Sequence, residues 1–369
     1  MNTDIELTSY MNGAVMRLIS SVLKSTLKNP RETAFVLEMR SYIQKANKKR
    51  MESEKKGIHI PTFLISSITN HCNLYCKGCY ARENKICGEA THAPMLTTQK
   101  WSRIFNEAAA LGISFNLLAG GEPLLRKDVI LEASKVRNMI FPIFTNGLMI
   151  NQEYLKLFLG HRNLIPVISI EGNREVTDDR RGKGTYDKLI TNMKELQKSN
   201  LLYGASITVT SENISQVTST AYMDTLADLG CKLVFFIEYV PAVSGTQHLT
   251  LSEENQAYLE EKQGLLRKKY EEIIFLSFPG DEKYLGGCLA AGRGFFHINP
   301  YGGAEPCPFS PYSDCNLNEQ SLMEVLQSPL FKKLNEAKLV GGEHRGGCAL
   351  FEHKAEVEAF IQPANTSDR

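Results

Sequence analysis

From residue 60 onward the chain alternates short β-rich runs with amphipathic segments, and it does so six times. The runs are 62–69 (TFLISSIT), 113–118 (ISFNLL), 139–145 (MIFPIFT), 166–170 (PVISI), 205–210 (ASITVT) and 233–239 (LVFFIEY). Helical periodicity fills 97–111, 126–137, 151–160, 185–199, 215–229 and 252–270. Strands that follow one another through helices pair in parallel, and each crossover is right-handed by default. The expected core is therefore an α/β unit of six β–α repeats. Periodicity alone leaves open whether its sheet stays open or curls into a partial barrel.

The flanks differ from this core. Residues 1–57 read as helical. Met11, Val15, Leu18, Ile19 and Val22 recur at helical spacing, and Asn29-Pro30 supplies an N-cap followed by proline at the first helical position. The second helix carries Phe35, Val36, Met39, Tyr42 and Ile43 inward, and residues 40–56 carry a local charge of +5. After residue 272, Gly, Pro and Cys become dense, and helix returns near 319–338. The expected division is a helical segment at 1–57, the β–α unit at 58–271 and a small Cys-rich α+β domain at 272–369.

Composition removes several classes. Net charge is only +1 from 42 basic and 41 acidic residues, so no global field points to nucleic acid. No apolar stretch is long enough to span a bilayer. Asp4 and Glu6 stand where an export signal would be basic, so a cytoplasmic chain is expected. Nine cysteines, an odd number, then point to a metal or cluster rather than a disulfide framework.

Three of them lie directly after the first strand, in Thr69-Asn70-His71-Cys72-Asn73-Leu74-Tyr75-Cys76-Lys77-Gly78-Cys79-Tyr80. Three thiolates on one short loop can hold three irons of a four-iron cube and leave the fourth open. Zinc usually takes paired Cys-x2-Cys units and a fourth protein ligand. Cys72, Cys76 and Cys79 resemble the signature of the radical S-adenosylmethionine (radical SAM) enzymes. The resemblance implies a partial (β/α)6 barrel and a [4Fe–4S] cluster whose open iron binds S-adenosylmethionine. Reductive cleavage then gives a 5′-deoxyadenosyl radical. One position departs from the family. The residue before the third cysteine is usually aromatic and here is Gly78, with Tyr80 expected to supply the missing aromatic surface.

The other strand ends agree. Active sites of parallel β–α folds gather at the C-terminal ends of strands. Strand two ends in Ala119-Gly120-Gly121-Glu122-Pro123, which resembles the family's segment gripping the methionine amine. Strand three ends in Thr145-Asn146-Gly147, a turn with a polar tip at Asn146. Ser169, at the end of strand four, matches the family's ribose contact. Arg181 matches its carboxylate contact, with Arg180 as competitor. Strand five ends in Thr208-Val209-Thr210 with Asn213 beyond, and strand six in Glu238-Tyr239-Val240-Pro241. These last two segments carry no assigned role.

Cys288, Gly302 and Cys307 are spaced like the opening of the auxiliary-cluster domains called SPASM and Twitch. The residues between them read as a β-hairpin with a Gly-rich turn. Cys315 and Cys348 complete four thiolates, enough for one further [4Fe–4S] cluster, with a structural zinc or no metal as alternatives. Cys87 and Cys231 have no spacing partner and read as structural or incidental thiols.

The resemblance thus implies a radical SAM enzyme with a reducing partner such as flavodoxin or ferredoxin. Peptide or protein modification is the adopted reading. A radical step in small-molecule or cofactor biosynthesis, such as tetrapyrrole formation, is the alternative. A non-catalytic iron–sulfur carrier or scaffold is a second alternative. The first helix is expected to pack against the barrel. Peripheral contact with an anionic membrane is the competing reading of its apolar stripe and basic neighbour.

Overall fold

The computed structural model describes residues 3–27, 29–84, 86–88, 94–341 and 348–361. The stretches 342–347 and 362–369 of the expected C-terminal unit, and the side chains of Thr3, Asp4, Ile5 and Ser25, lie outside them.

Seven strands form a parallel series: β1 (Phe63–Ser67), β2 (Phe115–Ala119), β3 (Phe141–Thr145), β4 (Leu164–Ser169), β5 (Gly204–Val209), β6 (Leu233–Glu238) and β7 (Ile274–Phe278). A hairpin of β8 (His297–Ile298) and β9 (Ala304–Glu305) extends the sheet beyond β1. The order is β7-β6-β5-β4-β3-β2-β1-β8-β9, so among the described residues β7 and β9 are the edges and the sheet is not closed. Alternate residues from β1 to β7, among them Phe63, Leu117, Phe144, Val167, Phe235 and Leu276, nevertheless line one cavity. The sheet therefore curls around that cavity, which settles the question that periodicity left open: a partial barrel. The opposite faces, with Leu64, Leu118, Ile143, Ile168, Ile207 and Phe236, are buried under the outer helices.

Six strands fall where alternation placed them. The seventh, β7, is an addition to the six-repeat expectation. Its apolar run directly precedes the Gly- and Pro-rich region, so composition masked it. It pairs with β6 from Leu233↔Ile274 to Ile237↔Phe278.

The N-terminal helices close the floor of the barrel. α1 (Thr3–Thr26) and α2 (Pro30–Glu54) share a core with Ile140, Ile165, Leu202, Leu233 and Ile274, residues at or next to the starting ends of strands. Met11, Val15, Ile19 and Val22 are buried, as the packing reading expected. Asn29 caps α2 by accepting from the Glu32 amide, with Pro30 at the first position. The basic stretch is only partly solvated. Arg50 is fully buried. It donates to Asn12 Oδ1 through Nε (3.1 Å) and Nη2 (2.7 Å), and to Ser114 Oγ through Nη1 (2.9 Å). Burial pulls its pKa down to about 10, and its bonds tie α1 and α2 to the entry of β2. Among the described residues no helix is long and apolar enough to cross a membrane.

The hairpin joins the barrel through β1. β8 runs parallel to β1 at Ile65↔His297 and Ser66↔Ile298, and the Phe63 and Phe295 rings stack at 4.9 Å. A buried polar chain locks the join. His297 Nδ1–H donates to Glu305 Oε2 at 2.6 Å, and its Nε2 lies 2.8 Å from Ser67 Oγ. Asn299 Nδ2 donates to Glu305 Oε1 at 2.7 Å. Buried polar groups left without partners cost far more than a formed bond contributes. His297→Leu is therefore expected to destabilise the cluster-free protein by roughly 3 kcal/mol, read as a lower urea midpoint. A shift under about 0.5 kcal/mol, the range of neutral surface changes, would remove this chain from the account of the join.

Candidate active site

β1 hands the chain directly to the cysteine loop, and two neighbours grip that loop. On one side the turn after β2 lies against it. Gly121 N donates to Thr69 O at 2.9 Å and Glu122 N to His71 O at 2.7 Å. A Cβ on Gly120 would stand 2.5 Å from Thr69 O, and one on Gly121 2.0 Å from His71 O. Only glycine permits this approach. On the other side Lys77 N donates to Arg180 O at 2.9 Å. Cys72, Cys76 and Cys79 emerge half-buried and line the barrel cavity.

The loop's surroundings act oppositely on two of its thiols. The Cys87 thiol, hydrogen-bonded to Cys72, is the largest influence pulling Cys72 down to about 6; burial opposes it, and the Leu74 amide, Arg82 and Arg181 assist. Burial pushes Cys76 up, against the attraction of Arg181. Cys87 was read from sequence as a bystander. The fold brings it to Cys72 after the short helix Tyr80–Glu83, and no spacing rule announces that.

The strand ends assemble around the cysteine loop. Gly120, Gly121, Asn146, Ser169 and Arg181 all line the cavity with the cysteines. Glu122 and Pro123 are buried beside them. The Glu122 carboxylate is not presented freely, however. It accepts from Leu124 N (3.0 Å), Thr145 Oγ1 (2.6 Å) and Asn146 N (2.7 Å), fastening the ends of β2 and β3 together. Burial pushes its pKa up to about 7 despite these bonds. Asn146 Nδ2 in turn donates to Asn73 Oδ1 of the cysteine loop at 2.7 Å. Arg181 is held by the buried Glu171 carboxylate through Nε and through Nη2 at 2.6 Å, which leaves Nη1 at 4.0 Å from Cys76 Sγ. Arg180 reaches the same carboxylate at 3.4 Å. Glu171 was not singled out in the sequence, although it follows Ser169 by two positions at the end of β4.

The C-terminal cysteines gather in part. The β8–β9 hairpin brings Cys288 and Cys307 into one neighbourhood, as their spacing suggested, and Cys348 joins them. The Cys307 thiol is hydrogen-bonded with Cys348, and Cys288 lies close enough for its charge to be felt there. The buried Glu282 is hydrogen-bonded to Cys288. Cys315 stands apart. Its carbonyl accepts from Ala304 N at 3.0 Å, and its thiol faces Asp314, Gln320 and Ser328. Tyr80 bridges the two cysteine regions: it neighbours Cys79 and Cys307, and its ring packs on Phe309 at 4.7 Å.

Both sets are built of thiols, the donors that a four-iron cube takes. Among the described residues no three Cys, His, Asp or Glu side chains converge as one ion demands. Ligands of a four-iron cube sit at its corners and stand further apart. The first set offers three thiols, positive charge from Arg181 and Arg82, and room: the cavity holds about 530 Å³. The lower wall of that cavity is apolar, with Phe63, Leu117, Phe144 and Phe235. Its rim near the loop carries Ser169, Ser206, Thr208, Arg181, Glu238 and Glu282.

Comparison with known proteins follows the same division. A model of the radical SAM superfamily matches residues 66–221, and a model of the SPASM iron–sulfur cluster-binding domain matches 288–349. AdoMet-dependent heme synthase of Methanosarcina barkeri is 25% identical over 322 residues, 80% of this chain and 89% of that protein. Mycofactocin maturase MftC of Mycolicibacterium smegmatis is 26% identical over 324 residues, 81% of this chain and 80% of its own. The fold is shared with Streptococcus suis SuiB bound to S-adenosylmethionine, at TM-score 0.65 and 18% identity over 79% of this chain and 72% of that one. The two family models fall in turn on the two cysteine sets, and the chain belongs to the radical SAM superfamily as an enzyme bearing a SPASM-type iron–sulfur domain.

Proposed function

We propose that Cys72, Cys76 and Cys79 hold the radical SAM [4Fe–4S] cluster and that the strand ends around them bind S-adenosylmethionine. The carrying observation is that all three thiols open onto the cavity shared by Gly120, Gly121, Asn146, Ser169 and Arg181. When bound, the cluster and S-adenosylmethionine supply reductive cleavage and a radical that takes hydrogen from an unactivated carbon. The chain's own residues do the positioning. The glycine turn exposes backbone for the methionine end, and Glu122 acts by fixing that turn. Ser169, at the end of β4, would contact the ribose. Arg181, oriented by Glu171, keeps one nitrogen toward the loop. The apolar wall and the α1 floor exclude water beneath.

Cys288, Cys307 and Cys348 are proposed as thiolates of a second [4Fe–4S] cluster. Cys315 is left out of that set because its thiol faces Asp314 and Ser328. Reductive cleavage needs a low-potential electron source, and a flavodoxin or ferredoxin in a reducing cytoplasm is the proposed donor.

For substrate, peptide or protein modification is the proposed class, supported by the likeness to the MftC maturase across most of both chains. Tetrapyrrole chemistry is the second reading. It is favoured by the likeness to the heme synthase and by the size and apolar lining of the cavity. Adding a mixture of ribosomal-precursor-type peptides to the reduced, reconstituted enzyme should raise the rate of S-adenosylmethionine cleavage. Acceleration by iron coproporphyrin III and none by peptides would reverse the order.

Two variant sets test the ligand assignments. Reconstituted wild type should hold about eight irons, and a Cys72/Cys76/Cys79→Ala variant about four, with no cleavage. Cys315→Ala should keep all eight by iron assay, whereas Cys307→Ala should fall to about four; the opposite pattern would return Cys315 to the ligand set. Gly121→Ala drives a methyl into the His71 carbonyl. It should cost about 1–3 kcal/mol and lower iron at the first site while sparing the second. Full iron occupancy in that variant would show that the close approach does not govern the loop.

A further inference from the structure

A [4Fe–4S] cube held by protein alone takes a ligand at each of its irons. The C-terminal set supplies thiols from Cys288, Cys307 and Cys348, while Cys315 faces Asp314 and Ser328. One corner therefore calls for a donor that counting cysteines cannot find.

The segment after β7 brings one to the place. A tight helical turn, Gly280–Leu285, carries two adjacent acids, and their side chains part. Asp281 is tied to its neighbours: it accepts from Ser277 N at 2.7 Å and from Arg267 Nη2 at 2.9 Å. Glu282 is instead buried, at 3% exposure. Its carbonyl accepts from Gly287 N at 3.1 Å. Gly286 and Gly287, with φ of +74° and +96°, turn the chain back so that Cys288 and Leu289 meet the Glu282 side chain. Leu289 N donates to Glu282 Oε1 at 3.2 Å, and the Cys288 thiol donates to the same carboxylate. The charge of Cys348 is felt at Cys288, and Cys307 is hydrogen-bonded with Cys348. Glu282, Cys288, Cys348 and Cys307 thus form one contiguous group. Glu305, two residues before Cys307, is already engaged by His297 and Asn299.

We infer that Glu282 is the fourth protein ligand of the second cluster, its carboxylate holding the iron that Cys288, Cys307 and Cys348 leave. The inference rests on the proposal that those three thiolates hold that cluster. A buried carboxylate is kept where it is paired or bound to a metal. Iron takes the thiolate, so ligation removes the Cys288 proton and frees the carboxylate oxygen that accepts it. Glu282 also lines the barrel cavity, so the second site meets the cavity at this residue. A carboxylate gives iron less electron density than a thiolate does. Replacing cysteine by a weaker donor raises a cluster's reduction potential, as imidazole does in two-iron centres.

The test isolates the second cluster in the full chain carrying Cys72/Cys76/Cys79→Ala, reconstituted anaerobically. With Glu282 in place this protein should hold about four irons. Adding Glu282→Gln should lower the count to about three and give the electron paramagnetic resonance of an oxidised three-iron cluster. Adding Glu282→Cys should keep about four irons and lower the midpoint potential, because a thiolate then replaces the carboxylate. No iron in the protein that retains Glu282 would defeat the second cluster itself. Four irons in Glu282→Gln, with spectrum and potential unchanged, would defeat this inference alone. An unchanged potential in Glu282→Cys would do the same. Loss of all iron from both variants would assign Glu282 to the frame of the turn and overturn it as well.

Discussion

One strand edge sets the frame of this molecule. β8 lies along the outer edge of β1, and Ser67, His297, Glu305 and Asn299 close a buried hydrogen-bond chain across the join. β1 leads into Cys72, Cys76 and Cys79. β8 begins nine residues after Cys288, and β9 ends two before Cys307. Both cysteine sets are thus measured from the same two strands. A flexible linker could not do this, because backbone ladders fix register to a fraction of an ångström while a hinge leaves it free. Tyr80, packed on Phe309 between the sets, occupies the space that this frame leaves.

The second constraint is how closely two turns can approach. The turn after β2 presses on the cysteine loop through Gly120 and Gly121, and the buried Glu122 holds that turn to the end of β3. Glu122 thereby serves the site through geometry. A carboxylate with three donors in an apolar setting orders the backbone around it, and burial lifts its pKa to about 7. Arg181 follows the same logic. Its pairing with Glu171 fixes the guanidinium plane beside Cys76, so the side chain arrives preorganised rather than searching.

Much of this was legible in the sequence, because the relevant signals are local. Strand and helix periods repeat over a few residues, Asn29-Pro30 is a contiguous cap, and the cysteine loop follows its strand without a gap. What escaped depends on contacts between distant segments. Cys87 meets Cys72 beyond the short helix Tyr80–Glu83, and Glu171 meets Arg181 across a helix. Tyr239 meets Gly78 across the barrel mouth. The seventh strand escaped for a different reason: its apolar run sits directly against the Gly- and Pro-rich segment, and composition there outweighs periodicity. At Cys315 the count of thiols and the fold part company, because counting carries no direction. Its backbone pairs with Ala304 beside the hairpin, and that pairing points its side chain toward Asp314 and Ser328.

The central claim is that the cysteine loop and the strand ends make one site for reductive cleavage of S-adenosylmethionine. Anaerobically reconstituted protein, reduced with dithionite and mixed with S-adenosylmethionine, tests it directly by chromatography of the products. The account predicts 5′-deoxyadenosine and methionine in equal amounts, both absent without reductant. Fully iron-loaded protein that binds reductant electrons yet forms no 5′-deoxyadenosine would contradict it.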